Sequence, residues 1–251
     1  MKNIQSINNP YIKELKKLQE KKYRDQQRQF LIEGFHLIEE AKSQKQLQNV
    51  LITREEDYVE GVENILVNYS IIEKLAQTKT PQNIIGVCRY FEETKLEGSR
   101  FLLLDGIQDP GNAGTIVRSA LGFGIDMVIL SPDSVDIYND KFIRSTQGAI
   151  FKTKIITKSL LDAIVELKAL GVTIIGTSLL GKPLREIEAI DKYALILGNE
   201  GRGVRPEIIE CTDQNIFIEI DSKLESLNVA IAGSIILYYL QRPDMNIQKR
   251  R

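Results

Sequence analysis

The chain has a single histidine, His36, and two cysteines, Cys88 and Cys211, among its 251 residues. A Ser-His-Asp triad needs an imidazole at the reacting centre. His36 stands in the N-terminal part of the chain, away from the glycine-rich segments described below, so that chemistry is not available there. No carboxylate–histidine cluster is present either, and no catalytic zinc or other metal is expected. The cysteines are far apart and lack CxxC spacing, which excludes a disulfide framework or a zinc knuckle. Both lie in apolar sequence and read as small buried residues of a protein kept in a reducing compartment. Long apolar runs are missing as well. The N-terminus, MKNIQSINNPYIKELKK, has no apolar signal core, and Leu227–Leu240 is broken by Asn228, Gly233 and Ser234 and is too short to span a bilayer. A soluble cytoplasmic protein without membrane association is expected. Two nucleotide motifs are also absent. Gly106–Thr115 contains no GK[ST], and Gly122-Phe123-Gly124 lacks the third glycine of a dinucleotide fingerprint because position 127 is Met.

What is present is an ordinary globular balance, 43% hydrophobic and 27% charged, able to form a core without staples. The length suits two domains. The net charge of −1 is uninformative, but its distribution is not. Residues 1–28 hold eight basic and three acidic side chains, a +5 arm, and the chain ends Lys249-Arg250-Arg251. Such clusters attract phosphate backbones, although a solvated helix face has the same composition.

Periodicity divides the chain. Asn9-Pro10 starts a helix carrying Tyr11, Leu15 and Leu18. Phe30–Ile32, Val50–Ile52, Ile65–Val67 and Ile84–Tyr90 read as strands, and Gly34 opens a helix to about Lys42. This is a small α/β domain over 1–94. The charged stretch from Glu92 to Ser99 carries the linker, placed at 95–99. Residues 100–251 begin a second α/β pattern. Strands are expected at Phe101–Leu104, Met127–Leu130, Val172–Gly176, Ala194–Leu197 and Asn215–Ile220. Helices are expected at Asn112–Gly124, Leu160–Leu170 and Leu227–Leu240. The continuous apolar strands suit a parallel sheet buried on both faces. The last helix is apolar around nearly its whole circumference and needs a cover, for which a subunit interface is the natural candidate.

Three polar, glycine-bearing segments each follow a strand: Asp105–Thr115, Gly198–Gly203 and Ile218–Asn228. Ligands of open α/β sheets bind at the carboxyl ends of strands, so these segments nominate one site. Singly, each residue has a simpler role. Asn112 can cap the helix after it, Arg118 can be a solvated residue on the polar helix face with Thr115 and Gly122, Glu200 can be an exposed turn residue, and Ser226 or Asn228 can cap the last helix.

Together these segments resemble the three motifs of the SpoU/TrmH family in the SPOUT methyltransferase superfamily. They are Asp109-Pro110-Gly111-Asn112-Ala113-Gly114 with Arg118-Ser119-Ala120, then Leu197-Gly198-Asn199-Glu200-Gly201-Arg202-Gly203, then Ser226-Leu227-Asn228-Val229-Ala230. Residues 1–91 resemble the family's substrate-binding domain, itself similar to ribosomal RNA-binding proteins, through Asn9–Lys16, Tyr23-Arg24 and Phe30–Gly34. The resemblance implies a C-terminal SPOUT domain with a parallel sheet and a deep trefoil knot, bound S-adenosylmethionine, a homodimer, and methylation of a ribose 2′-hydroxyl in structured RNA. By fold-level analogy, ribosomal RNA, 23S rRNA in particular, is favoured over transfer RNA. Asn112, Arg118, Glu200, Ser226 and Asn228 match the family's catalytic positions. Thr177, Leu179, Gly198, Asn199, Gly201, Ile218, Ile220 and Leu227 fall on the cofactor loops. In this reading Arg118 grips phosphate and stabilises developing alkoxide, Asn112 positions Arg118 or the ribose, and Glu200 holds a motif partner such as an arginine across the dimer. Ser226 and Asn228 tie the third loop to the cofactor or to Asn112. The chain departs from the family where many members read Ile-Pro-Met and it reads Ile218-Glu219-Ile220. A catalytically silent RNA-binding protein of the same fold is the competing reading.

Overall fold

The computed structural model describes residues 1–92 and 94–241. The basic tail Lys249-Arg250-Arg251 lies outside the described residues. In chain order the elements are β1 (Lys2–Ile4), α1 (Pro10–Lys17), α2 (Lys21–Gln27), β2 (Gln29–Glu33), α3 (Phe35–Ser43), β3 (Leu47–Ile52), β4 (Glu63–Val67), α4 (Tyr69–Leu75) and β5 (Ile84–Arg89). They continue as β6 (Arg100–Asp105), α5 (Pro110–Gly122), β7 (Met127–Leu130), α6 (Asp140–Thr146), β8 (Lys154–Thr157), α7 (Leu160–Ala169), β9 (Thr173–Pro183), β10 (Tyr193–Gly198), α8 (Pro206–Ile209), β11 (Gln214–Phe217) and α9 (Val229–Leu240). No helix among the described residues is long and apolar enough to cross a membrane.

The chain forms two compact units, Met1–Glu92 with Asp136–Lys152, and the described residues of Glu93–Val135 with Thr153–Arg251. In the first, a mixed sheet runs in the order β1-β4-β3-β5-β2. Asn9 caps α1 by accepting from the Tyr11 N–H, Pro10 occupies the first turn, and the helix buries Ile12 and Leu15 with Leu18 behind it. These pack on Leu51, Ile65 and Val87 of the sheet and on Ile71 and Ile72 of α4. The segment containing α6 belongs to this unit although it lies between β7 and β8 in sequence. Tyr138 of that segment stacks on Tyr90 with ring centroids 3.6 Å apart and accepts the Phe91 N–H at its hydroxyl.

Half of the eight cations of the basic arm are engaged by carboxylates. Lys2 pairs with Glu63, Lys17 with Glu14 and Lys21 with Asp25, at 2.6–2.7 Å. Arg24 is buried, donates to the Leu18 and Gln19 carbonyls, and pairs with Asp136 at 2.5 Å.

The second unit is a six-stranded sheet in the order β11-β9-β10-β6-β7-β8, with every pairing parallel. β6, β7 and β10 are buried along their full lengths, which accounts for their unbroken apolar sequence. Phe101, Leu103, Met127, Ile129, Ile174, Ala194 and Ile196 meet Leu160, Ala163, Ile164 and Leu167 of α7.

Several sequence expectations shift here. The helix expected from Asn112 starts at Pro110, because the Asp109 carboxylate is the cap and accepts the Asn112 N–H at 2.8 Å. The capping role therefore passes from Asn112 to Asp109. The strand expected at 172–176 runs on to Pro183. Asn215 pairs with Gly176 and the next residue, Ile216, with Lys182, so residues 177–181 are extruded from the ladder. The strand expected to end at Ile220 stops at Phe217, leaving Ile218–Ile220 in the following loop, and the last helix starts at Val229 rather than Leu227. Cys88 is buried, whereas Cys211 is only half-buried, its thiol against the Glu207 carbonyl.

Candidate functional site

The site begins with strand register. Gly198 of β10 pairs opposite Asp105 of β6, so the loops after these strands leave the sheet side by side. Asp105, which closes the apolar run Phe101–Leu104, is buried and takes three contacts from Arg205, the backbone N–H at 2.8 Å, Nε at 2.7 Å and Nη2 at 2.5 Å. This charge-assisted pair ties the start of one loop to the end of the other.

The second loop is folded back on itself. Asn199 and Gly203 exchange main-chain hydrogen bonds, and the Asn199 side-chain oxygen accepts the Gly201 and Arg202 N–H groups. Its Nδ2 donates to the Gly106 carbonyl at 2.7 Å, in the first loop. Gly198 is required at the base of this turn. A Cβ there would lie 2.1 Å from the Gly203 carbonyl carbon and the Val204 nitrogen, so any side chain collides with backbone.

This fold-back holds Glu200 over the N-terminus of α5. Its carboxylate accepts the Gln108 N–H at 3.3 Å, the Asp109 N–H at 3.2 Å and Asn112 Nδ2 at 3.1 Å. Partial burial raises the Glu200 pKa, but its own backbone N–H, together with the Asn112, Asp109 and Gln108 donors, outweighs this and holds the group below its ordinary value, keeping it ionised. The third loop joins through Asn228. Its Oδ1 caps α9 by accepting from Ala230 N–H at 2.9 Å and Ile231 N–H at 3.3 Å, while its Nδ2 donates to Asn112 Oδ1 at 3.0 Å. A chain of side-chain hydrogen bonds, Asn228 to Asn112 to Glu200, thus links all three segments. Each end of the Asn112 amide has a partner, which fixes its plane.

The other site residues fall around this trio. Arg118 is exposed on α5, on the same side as Thr115, and makes no hydrogen bond or ion pair among the described residues. Ser226, two residues before Asn228, is exposed and its hydroxyl is likewise without a partner among them. Thr177 donates to the Ile196 carbonyl at 3.0 Å, anchoring the extruded segment to β10. Leu179 and Leu180 in that segment are 81% and 96% exposed. Ile218 and Leu227 are half-buried, Gly201 and Ile220 exposed. The Glu219 side chain pairs with Arg185 at 3.4 Å, so its charge is directed to a neighbouring strand connection.

Sequence reasoning did not single out Asp105, Arg205 or Gln108 for these contacts. The signal for Asp105 was a carboxylate closing the run Phe101–Leu104, where an unpaired charge would be costly. The backbone N–H groups that receive Glu200 carry no sequence signal.

Known proteins resemble this chain in sequence and in fold. The model of the SpoU rRNA Methylase family matches residues 99–238, and that of the MRM3-like substrate binding domain matches residues 9–86. The 23S rRNA (guanosine(2553)-2′-O)-methyltransferase RlmP of Bacillus subtilis is 38% identical over 247 residues, covering 96% of this chain and all of that protein. An AdoMet-bound rRNA methyltransferase from Sinorhizobium meliloti superposes with a TM-score of 0.86 at 28% identity, covering 95% of this chain and 97% of the other. A TrmH-family RNA methyltransferase structure from Porphyromonas gingivalis gives 0.86 at 29% identity, covering 94% and 99%.

Proposed function

This chain belongs to the SpoU rRNA methylase family, and we propose that it methylates a ribose 2′-hydroxyl of structured ribosomal RNA, with 23S rRNA as the substrate, in the cytoplasm. The hydrogen-bonded chain Asn228–Asn112–Glu200 carries the reading, because it draws the three motif segments into one site. S-adenosylmethionine supplies a methyl group already activated on a sulfonium centre. The residues present fit it. The extruded segment with Leu179 and Leu180, the Gly198 turn, and the loop bearing Ile218, Ile220 and Leu227 offer apolar surface and main-chain polar groups, as an adenosine requires. Thr177, Asn199 and Gly201 hold the backbone of these loops in place.

The work left to the protein is to orient the ribose and make its hydroxyl nucleophilic. Holding the reacting atoms in near-attack geometry can supply at most about 7–11 kcal/mol of barrier reduction. Arg118 is the catalytic residue in this scheme. A guanidinium stays protonated in a protein, so it does not take the hydroxyl proton. It grips the RNA phosphate and stabilises the alkoxide as it develops, and the proton passes to phosphate or water. Asn112, with its amide plane locked, positions the ribose. Glu200 is a positioning residue, its carboxylate engaged by the N–H groups of the first loop. Ser226, in the third loop, presents an exposed hydroxyl without a partner among the described residues.

Residues 1–94 bind the RNA in this proposal. The catalytic half carries the family's deep trefoil knot, one of the few exceptions to unthreaded chains. The match to the family model and the likeness to solved structures of such methyltransferases support it. The chain acts as a homodimer through α9, whose Ile231, Ile235, Tyr238 and Tyr239 leave an apolar face exposed. The test is a map of 2′-O-methyl groups in total RNA from cells with and without the protein. A single ribosomal position that loses its methyl group is expected, and an unchanged map would refute the assignment.

A further inference from the structure

Among the described residues, three non-glycine residues have a left-handed backbone: Arg28 at φ 54°, Lys45 at φ 57° and Gln147 at φ 48°. Glycine and asparagine adopt this region with far less strain than a long side chain does. Arg28 is the C-cap of α2, where a turn alone would favour glycine. Two of the three strained positions are cations, and they share one end of the sheet in the first unit. The Tyr90 N–H donates to the Arg28 carbonyl, and the Arg89 N–H to the carbonyl of Gln46, next to Lys45. Arg89 itself pairs opposite Gln29 in the β2–β5 ladder.

Among the described residues, none of Arg28, Lys45 and Arg89 has a carboxylate partner, unlike Lys2, Lys17, Lys21 and Arg24 of the same unit. Arg89 is exposed on the strand end, and the Arg28 guanidinium is held over the Tyr90 ring at 4.8 Å, which restrains it in place. The nearby carboxylate Asp25 is taken by Lys21 and the Tyr90 hydroxyl. The Gln29 and Gln48 amides, bonded at 2.7 Å, add polar groups to the same end.

We propose that Arg28, Lys45 and Arg89 form the surface of the N-terminal unit that grips the phosphate backbone of the substrate RNA. The inference rests on the methyltransferase reading and deepens it. It moves the RNA contact from the arm as a whole, where Arg24 is buried and several lysines are paired, to a defined cluster of unpaired cations. Folded RNA is recognised largely through its backbone and shape, which suits three positive groups at a rigid sheet end. The left-handed backbone at Arg28 and Lys45 is the cost of placing cations where a relaxed turn would have none.

The test is salt-dependent binding of transcribed 23S rRNA to the full chain carrying Arg28→Asn, Lys45→Asn and Arg89→Gln together. Asparagine tolerates the left-handed backbone, so the melting temperature should hold or rise. RNA affinity should fall about tenfold or more near physiological salt, and the slope of log affinity against log salt should drop by roughly 2–3. S-adenosylmethionine affinity and kcat at saturating RNA should not change. Removing the same charge at paired positions, with Lys2→Gln, Lys17→Gln and Lys21→Gln, should alter affinity less than about twofold. Equal losses in both triple variants, or unchanged binding in the first, would overturn the proposal. So would naked-RNA binding that stays intact while binding to ribosomal particles is lost, since the patch would then face protein. A wild-type chain that binds no RNA would instead remove the methyltransferase reading itself.

Discussion

At the scale of single residues, Arg118 and Glu200 are both charged and both exposed, yet their surroundings set them opposite tasks. Arg118 makes no ion pair or hydrogen bond among the described residues, so its guanidinium is available to a ligand. Arg118→Ala should abolish methyl transfer while leaving S-adenosylmethionine affinity within a few fold, as read by isothermal titration. Loss of cofactor binding in a folded variant would move Arg118 out of the role assigned to it. Glu200 is engaged by Gln108, Asp109 and Asn112 and is held below its ordinary value of 4.5. A depressed carboxylate pKa stabilises the fold fully above the ordinary value, and that stabilisation fades as pH falls through the lowered one. The melting temperatures of wild type and Glu200→Gln should therefore differ by a constant amount above about pH 5 and converge in acid. A gap that widens in acid would contradict the geometry. Because Glu200 acts through Asn112, the same variant should lower kcat by roughly ten- to a hundredfold without giving a new ionisation in the pH–rate profile.

At the scale of elements, the site is a product of how strands end and helices begin. Asn228 caps α9 with its oxygen and holds Asn112 with its nitrogen. Asn228→Asp keeps the cap and removes the donor, whereas Asn228→Ala removes both. The alanine variant should lose about 1 kcal/mol of stability in denaturant unfolding and the aspartate variant much less, with both losing activity. Equal stability losses would mean that the link to Asn112, and not the cap, dominates at this position. Gly198→Ala should destabilise the second unit by at least about 1–3 kcal/mol, since its Cβ would lie 2.1 Å from main-chain atoms that cannot turn aside. Strands with continuous apolar sequence, such as Phe101–Leu104, Met127–Leu130 and Ala194–Leu197, were legible because burial on both faces leaves a clear pattern. The polar α2, the short edge strand β1 and the four-residue α8 were not, because too few side chains in each face the core to make a period. The start of α5 was misplaced because Asp109 and Asn112 are both good caps, and only the backbone path chooses between them.

At the scale of the whole molecule, the exposed face of α9 gives the proposed dimer its surface, with Ile231 at 53% and Tyr238 at 63% exposure. Ile231→Asp combined with Ile235→Asp should convert a dimer to a monomer in sedimentation analysis. If wild type is monomeric at micromolar concentration, the dimer reading fails. The same face was visible in the sequence as a helix apolar all round, with no polar side to turn to water.

The sequence alone determined that the chain is two α/β layers with a parallel sheet in the second, and which three segments carry the family's motifs. Those properties follow from local patterns of burial and from short runs of residues. Only the tertiary structure decided that Asn228, Asn112 and Glu200 touch, that Arg24 is withdrawn into an ion pair while Arg28 is not, and that residues 136–152 belong to the first unit. Such facts depend on strand register and on contacts between residues far apart in the chain, and no local pattern encodes a distance of 3.0 Å between side chains separated by 116 residues.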